Sequence, residues 1–330
     1  MKVLVTGGAG YIGSHAVRAL QAAGHEVTVL DDLSQGHRAA VPETARLVQG
    51  DLGDPSTLER ALEGADAVMH FAALANVLES VAQPARYREV NVDKGLALLD
   101  AMAAHDIQRL VFSSTCAVYG EPVRLPIDED NPQRPVNPYG ETKRAFEAEL
   151  RQRAGSGPLR AVALRYFNAA GAHPDGSLGE DHRPEHHLIP RAIDAALGRG
   201  IALTIHGEDY DTADGTCIRD YIHVQDLSAA HVLALRGLED GRESFRAYNL
   251  GTGRGHSVRE VIRAVEHSVL RRVPTRIGPR RPGDPPALVA SAERFEQELG
   301  FVPQYPELRT IVEDALRWRR EHPDGYGAAA

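Results

Sequence analysis

Residues 2–6 form a short apolar run that leads straight into Gly7-Gly8-Ala9-Gly10-Tyr11-Ile12-Gly13, and a helical pattern follows as far as residue 23, with Gly24 placed to end it. A strand, a Gly-x-x-Gly-x-x-Gly turn and a helix in that order leave few folds open. Gly7, Gly10 and Gly13 permit the tight turn, let the backbone approach a pyrophosphate, and allow the helix to pack close to the sheet. The helix N-terminus then faces the anion. Glycine strings are weak signals alone, so the context of this one decides. A second strand pattern at 26–30 ends in Asp31, where an adenosine ribose would present its hydroxyls. The charge of Asp31 would repel a 2′-phosphate, so the spacing predicts NAD rather than NADP.

Alternation continues beyond this unit. Strand patterns near 46–49, 67–71, 109–113 and 160–165 are interleaved with helical ones at 55–62, 84–104 and from 139. Strands buried on both faces and separated by helices predict an α/β fold with a doubly wound parallel sheet. Past Asn168 the texture changes: 171–185 is rich in Gly, Pro and His, and 271–286 is basic and proline-rich. We read residues 1–168 as the nucleotide-binding domain, with later returns at about 219–252. Residues 169–330 are mainly a smaller, interleaved α/β region that binds substrate. The tail at 325–330 is expected to fray. No apolar run reaches the ~18 residues of a membrane span. A net charge of −9 without a basic tract argues against nucleic acid as a partner. Cys116 and Cys217 lie in neither disulfide-scaffold nor zinc spacing, which suits a reducing cytoplasm.

The chemistry is read from Tyr139-Gly140-Glu141-Thr142-Lys143. Residues four apart on a helix share a face, so the phenol and the amine project together. A neighbouring ammonium and a positively charged nicotinamide would both lower the phenol pKa and make Tyr139 a usable base. Lysine is scarce here: with lysines only at 2, 94 and 143, arginine supplies 34 of the 37 basic residues. A retained lysine therefore points to a need for a compact, tunable amine. Ser113-Ser114-Thr115-Cys116 follows a predicted strand, and ligands of open α/β sheets bind beyond the carboxyl ends of strands. Thr115 is the hydroxyl expected to join Tyr139 and Lys143. His182, His186 and His187 show no helical metal-ligand spacing, so no metal site is expected.

Together with TGGAGYIGSH, HFAA, FSSTCAVYG and NPYGETK, the stretches ALRYFNAAGAHPDG, GEDH, DGTCIRDYIHVQDL, YNLGTG and RRPGD resemble the extended short-chain dehydrogenase/reductases over nearly the whole chain. Within that family they are similar to the branch that epimerises UDP-sugars at C4. The resemblance implies a Rossmann-type fold, tightly bound NAD, and a catalytic trio of Thr115, Tyr139 and Lys143. Tyr11, Ile12, Asp31, Asp51, Leu52, Phe71, Ala72, Ala73, Asn91, Lys143 and Phe167 match positions that hold NAD, beside the glycines. It places Asn168 on the nucleotide sugar, and His187, Leu188, Arg219 and Arg281 near its diphosphate. Leu203 to His206 match the uracil-binding stretch, and Asp284 a uridine ribose contact. Leu288 stands where residue size tunes room for a 2-acetamido group, and Ala75 replaces a lysine found in some members.

What the resemblance implies in activity is interconversion of UDP-glucose and UDP-galactose through a 4-keto sugar. Tyr139 would take the 4-hydroxyl proton, directly or through Thr115. C4 epimerisation of other UDP-sugars, with N-acetylglucosamine, pentose or glucuronate as the sugar, shares most of the motifs. A nucleotide-sugar dehydratase would need an acid–base pair after Thr115, where Cys116 and Ala117 stand; a decarboxylase would keep a Glu at the second of these positions. A non-catalytic nucleotide sensor would be expected to lose Tyr139 or Lys143. A homodimer using the helix near 84–104 is the family expectation.

Overall fold

The structure is a computed structural model, and it describes residues 1–239, 243–281 and 283–327. The first half follows the alternation read above. Strand β1 (Lys2–Thr6) feeds α1 (Tyr11–Ala22), then come β2 (Glu26–Asp31), β3 (Arg46–Gln49), α2 (Pro55–Leu62) and β4 (Ala67–His70). Short helices α3 (Val77–Ala82) and α4 (Pro84–Arg88) precede α5 (Lys94–Ala104), β5 (Arg109–Thr115), α6 (Pro138–Ser156) and β6 (Arg160–Tyr166). The single helix expected over 84–104 is interrupted: Glu89–Asp93 winds as a π-helix between α4 and α5. Such widened turns often lie at functional sites, and this one carries Asn91.

After β7 (Asn168–Ala170) come α7 (Leu188–Ala196), β8 (Leu203–His206), β9 (Ile218–His223), α8 (Val224–Gly237) and β10 (Phe245–Leu250). The chain ends with β11 (Gly255–Ser257), α9 (Val258–Val269), β12 (Thr275–Gly278), β13 (Ala287–Leu288), α10 (Glu293–Leu299) and α11 (Leu308–Glu321). Seven strands form one parallel sheet in the order β10-β6-β5-β4-β1-β2-β3. Of the segment about 219–252, β10 joins this sheet beside β6 and α8 packs on α1. By contrast, β9 belongs to a small sheet with β7, β11 and β13.

Both faces of the main sheet are covered. On one face α1 and α8 bury Val17, Leu20, Leu227 and Leu235 against Val3, Val5 and Val29. On the other, α2, α5 and α6 bury Leu58, Leu98, Met102 and Phe146 against Leu4, Val68 and Phe112. Each fully buried side chain of this size contributes about 1.5–3 kcal/mol from leaving water. The second region has its own core, in which α7, α9 and α11 pack over β8 and β9.

The expected fraying of the tail is corrected as far as Gly327. Tyr326 donates its amide to Asp181 at 3.1 Å and its hydroxyl to the Gly179 carbonyl at 3.2 Å, while its ring lies 4.7 Å from Trp318. Residues 328–330 of that expectation lie outside the described residues.

Candidate active site

A cavity of about 980 Å³ opens where the parallel strands end, bordered by the main sheet's carboxyl edge and by the second region. Its floor begins at the glycine turn. Gly7 has φ +72, and a side chain there would put Cβ 2.5 Å from the Ala72 nitrogen. Gly13 faces the Gly7 carbonyl so closely that no Cβ fits. Only glycine therefore lets α1 start this close to β1 and β4. Asp31 closes the next strand, accepting the amides of Ala9 and Leu33, each at 2.9 Å. Burial raises its pKa, and those two amides pull it back. Phe71, Ala72 and Ala73 line the cavity beyond β4, with the Phe71 and Ala72 amides bonded to the Thr6 carbonyl. Asp51 and Leu52 border it beyond β3, Asp51 paired with Lys94 at 2.5 Å.

Asn91 stands behind the cavity-lining loop at Leu74. It is 2% exposed and is not part of the cavity wall. Its amide oxygen accepts the Leu74 amide at 2.8 Å, and its nitrogen donates to the Leu74 carbonyl at 2.9 Å and to Thr142 at 3.1 Å. The π-helical turn thus aims Asn91 at the backbone of a wall-forming loop. It holds that loop and α6 in register from behind.

The catalytic candidates come together through local rules. Asn137 caps α6, accepting the Gly140 amide at 2.9 Å, and Pro138 opens the first turn. That start puts Tyr139 in the first turn and Lys143 one turn later. Thr115 ends β5 and lines the same cavity as Tyr139, its hydroxyl accepting the Ala117 amide at 3.1 Å. Lys143 is 3% exposed; its Nζ donates to the Ser113 carbonyl at 2.9 Å and lies 6.0 Å from the centre of the Tyr139 ring. Burial dominates the proton affinities. It pushes Tyr139 up to about 12, with Thr115 pulling the other way. It also pushes Lys143 down to about 7, against the partial support of Glu147. Among the protein's own groups Thr115 lowers the phenol pKa, and burial drives Lys143 itself toward neutrality.

Asn168, Phe167, His187, Leu188, Leu203, His206, Arg219, Arg281, Asp284 and Leu288 all border the same cavity. Asn168 donates to the Asp220 carbonyl at 2.9 Å. Arg219 pairs with Asp284 and donates to the carbonyls of Ile218 at 2.6 Å and Pro285 at 3.0 Å. Leu288 is the strand partner of Arg219. His206 is held below its usual pKa by burial, then by Arg281 and Arg191. Arg191 was not singled out in the sequence, yet it lines the cavity from the first turn of α7. Its signal, position i+3 from Leu188 on a helix start, disappears among so many arginines.

The histidine-rich loop gathers side chains that sequence spacing left apart. Glu180, His182, Glu185 and His187 bring one ligand atom each to within 4.8 Å of one another, a grouping that could hold a metal ion. Sequence spacing missed it because the loop, not a helix, does the gathering, and because two of the four ligands are carboxylates. Burial opposes charge on His182, but Glu180 and Glu185 outweigh it and push its pKa up to about 10.

A glycine turn at a helix start, an acid closing β2 and a Tyr–Lys helix turn beside a Thr define a dinucleotide-binding α/β protein of the Rossmann class. The chain belongs to the NAD dependent epimerase/dehydratase family, whose model matches residues 3–251. A UDP-glucose 4-epimerase of Halalkalibacterium halodurans is 49% identical over 329 residues, 99% of this chain and 98% of that one. The structure of UDP-glucose 4-epimerase from Brucella ovis in complex with NAD superposes with a TM-score of 0.92 at 49% identity, covering 96% of this chain and 98% of that one. A UDP-glucose-4-epimerase from Stenotrophomonas maltophila, with bound NAD and formylated UDP-arabinopyranose, gives 0.94 at 41% identity, covering 98% and 99%.

Proposed function

We propose that this chain interconverts UDP-glucose and UDP-galactose by inverting C4 of the sugar, with NAD retained in the cavity. The observation that supports this most is the gathering of Thr115, Tyr139 and Lys143 in one cavity with the glycine turn and with Arg219 and Arg281. The residues fit the dinucleotide. Gly7 and Gly13 leave a backbone cradle that any Cβ would fill, and Asp31 ends the adjacent strand with its carboxylate at the cavity. When bound, NAD supplies a hydride acceptor that is restored within the same turnover, and its positive nicotinamide ring favours the phenolate of Tyr139.

The remaining work falls to side chains of this chain. Tyr139 Oη accepts the proton of the sugar 4-hydroxyl and later returns it, with Thr115 Oγ1 as partner or relay. Lys143, held by the Ser113 carbonyl, is one of the residues that would hold the dinucleotide beside the phenol. The sugar must offer first one face and then the other, so it is left loosely held. The grip instead falls on the UDP end: Arg219 and Arg281 offer planar forks to the diphosphate. Asn168, Leu203 to His206 and Asp284 orient the nucleotide.

The same reading includes a homodimer in the cytoplasm. Two free buried cysteines suit a reducing compartment, and among the described residues no helix is long and apolar enough to cross a membrane. For the dimer, support comes from the family resemblance and from Leu96, Ala97 and Ala101 of α5, which one chain covers only partly. Sedimentation should give twice 35.8 kDa. The test of activity is incubation with UDP-galactose and no added NAD: UDP-glucose accumulates toward equilibrium. Failure to turn over any member of a UDP-sugar panel (glucose, N-acetylglucosamine, xylose, glucuronate), with NAD still bound, would refute the reading.

A further inference from the structure

The loop between β7 and α7 gathers four side chains, of which Glu180, His182 and Glu185 have no part in the proposed reaction and His187 borders the cavity beside the expected diphosphate. Glu180 is 5% exposed, and its Oε1 lies 3.1 Å from His182 Nδ1 and in close contact with His187 Nδ1. Glu185 Oε1 stands 3.8 Å from His182 Nδ1 and 3.7 Å from His187 Nδ1. Hydrogen bonding explains only part of this arrangement. One oxygen of Glu180 is shared by two imidazoles, while Glu185 sits just beyond bonding reach of both. A tetrahedral ion with ligands at about 2.1 Å would space them about 3.4 Å apart, within the span of the separations seen here.

The surroundings also match a ligand set that is held in place. The backbone amides of His186 and His187 donate to Glu185 Oε1 at 2.8 and 2.9 Å, and Arg319 donates to its other oxygen at 3.1 Å. The Glu180 carbonyl accepts the Trp318 indole N–H at 3.3 Å. Outer partners of this kind fix ligating groups before an ion arrives. Two imidazole nitrogens and two carboxylates suit a first-row divalent metal such as Zn²⁺ or Co²⁺ better than Ca²⁺ or Mg²⁺, which favour all-oxygen sites. We propose that Glu180, His182, Glu185 and His187 form a binding site for one divalent transition-metal ion on the cavity wall, separate from the dinucleotide fold.

Cobalt is the direct probe, because its visible absorption reports coordination without any reference to turnover. The tag-free, full-length chain is treated with chelator, dialysed and titrated with Co²⁺. One equivalent per chain should bind with a four-coordinate absorption band, and Zn²⁺ should bleach it. His182→Ala and His187→Gln should each weaken binding at least about tenfold, while circular dichroism and retained NAD show that the variants are folded. Absence of a saturable equivalent would overturn the proposal, as would binding that survives unchanged in both folded variants. Because the band does not depend on catalysis, a failure here leaves the epimerase reading standing, and the converse also holds.

Discussion

Tyr139 and Lys143 face opposite electrostatic problems and meet the same obstacle. Burial favours the neutral form of each, holding the phenol near about 12 and the amine near about 7. The hydroxyl of Thr115 is the protein group that helps the phenolate. Tyr139→Phe should therefore lower kcat by about 10²–10⁴-fold, the usual worth of a positioned acid–base group, with NAD still bound. Thr115→Val should cost less than that, since it removes only the partner; steady-state rates on UDP-galactose decide both. Sequence spacing was enough to single out Tyr139, Lys143 and Thr115, which line one cavity, because a helix turn and a strand end are local. The contact that Asn91 makes stayed hidden for the opposite reason. It depends on a π-helical turn meeting Leu74 in the loop after β4, and no spacing along the chain encodes that contact.

Most elements were readable because their limits carry local chemistry. Asp54 with Pro55 starts α2, and Asn137 with Pro138 starts α6. Asn137→Ala should cost about 1 kcal/mol of stability and also loosen the turn that presents Tyr139, so both the denaturation midpoint and kcat should fall. What stayed hidden is how elements are tied together by buried polar groups. Glu147 on α6 pairs with Arg165 on β6 at 2.6 Å, with both side chains no more than 4% exposed. Ser114 on β5 donates to Glu147 at 2.5 Å, and Arg165 reaches the Tyr119 hydroxyl at 2.9 Å. Arg165→Met would strand a buried carboxylate and should destabilise the fold by about 3–5 kcal/mol in urea titration. A sequence shows a Glu and an Arg 18 positions apart; only the α6–β6 packing makes them partners.

The whole molecule is built to keep one interior dry and another open. His15, His70 and His231 are buried, and burial lowers their pKa values to about 4, 3 and 4. Between pH 6.5 and about 4 the unfolded chain gains protons at these rings and the folded chain does not, so folding stability falls as pH drops. Each such site contributes about 1.4 kcal/mol per pH unit across its window. In His231→Phe that site's share of the slope should vanish, so the variant should gain on the native chain by roughly 3 kcal/mol from pH 6.5 to 4. Equal slopes for the two chains would show that His231 titrates freely. The open interior carries the central claim, that the sugar loses and regains the same hydrogen inside the cavity while its UDP end stays held. The most direct test is to supply UDP-galactose deuterated at C4 to the purified protein with no added NAD. The account predicts UDP-glucose with the deuterium still at C4; hydrogen from solvent at that carbon would contradict it.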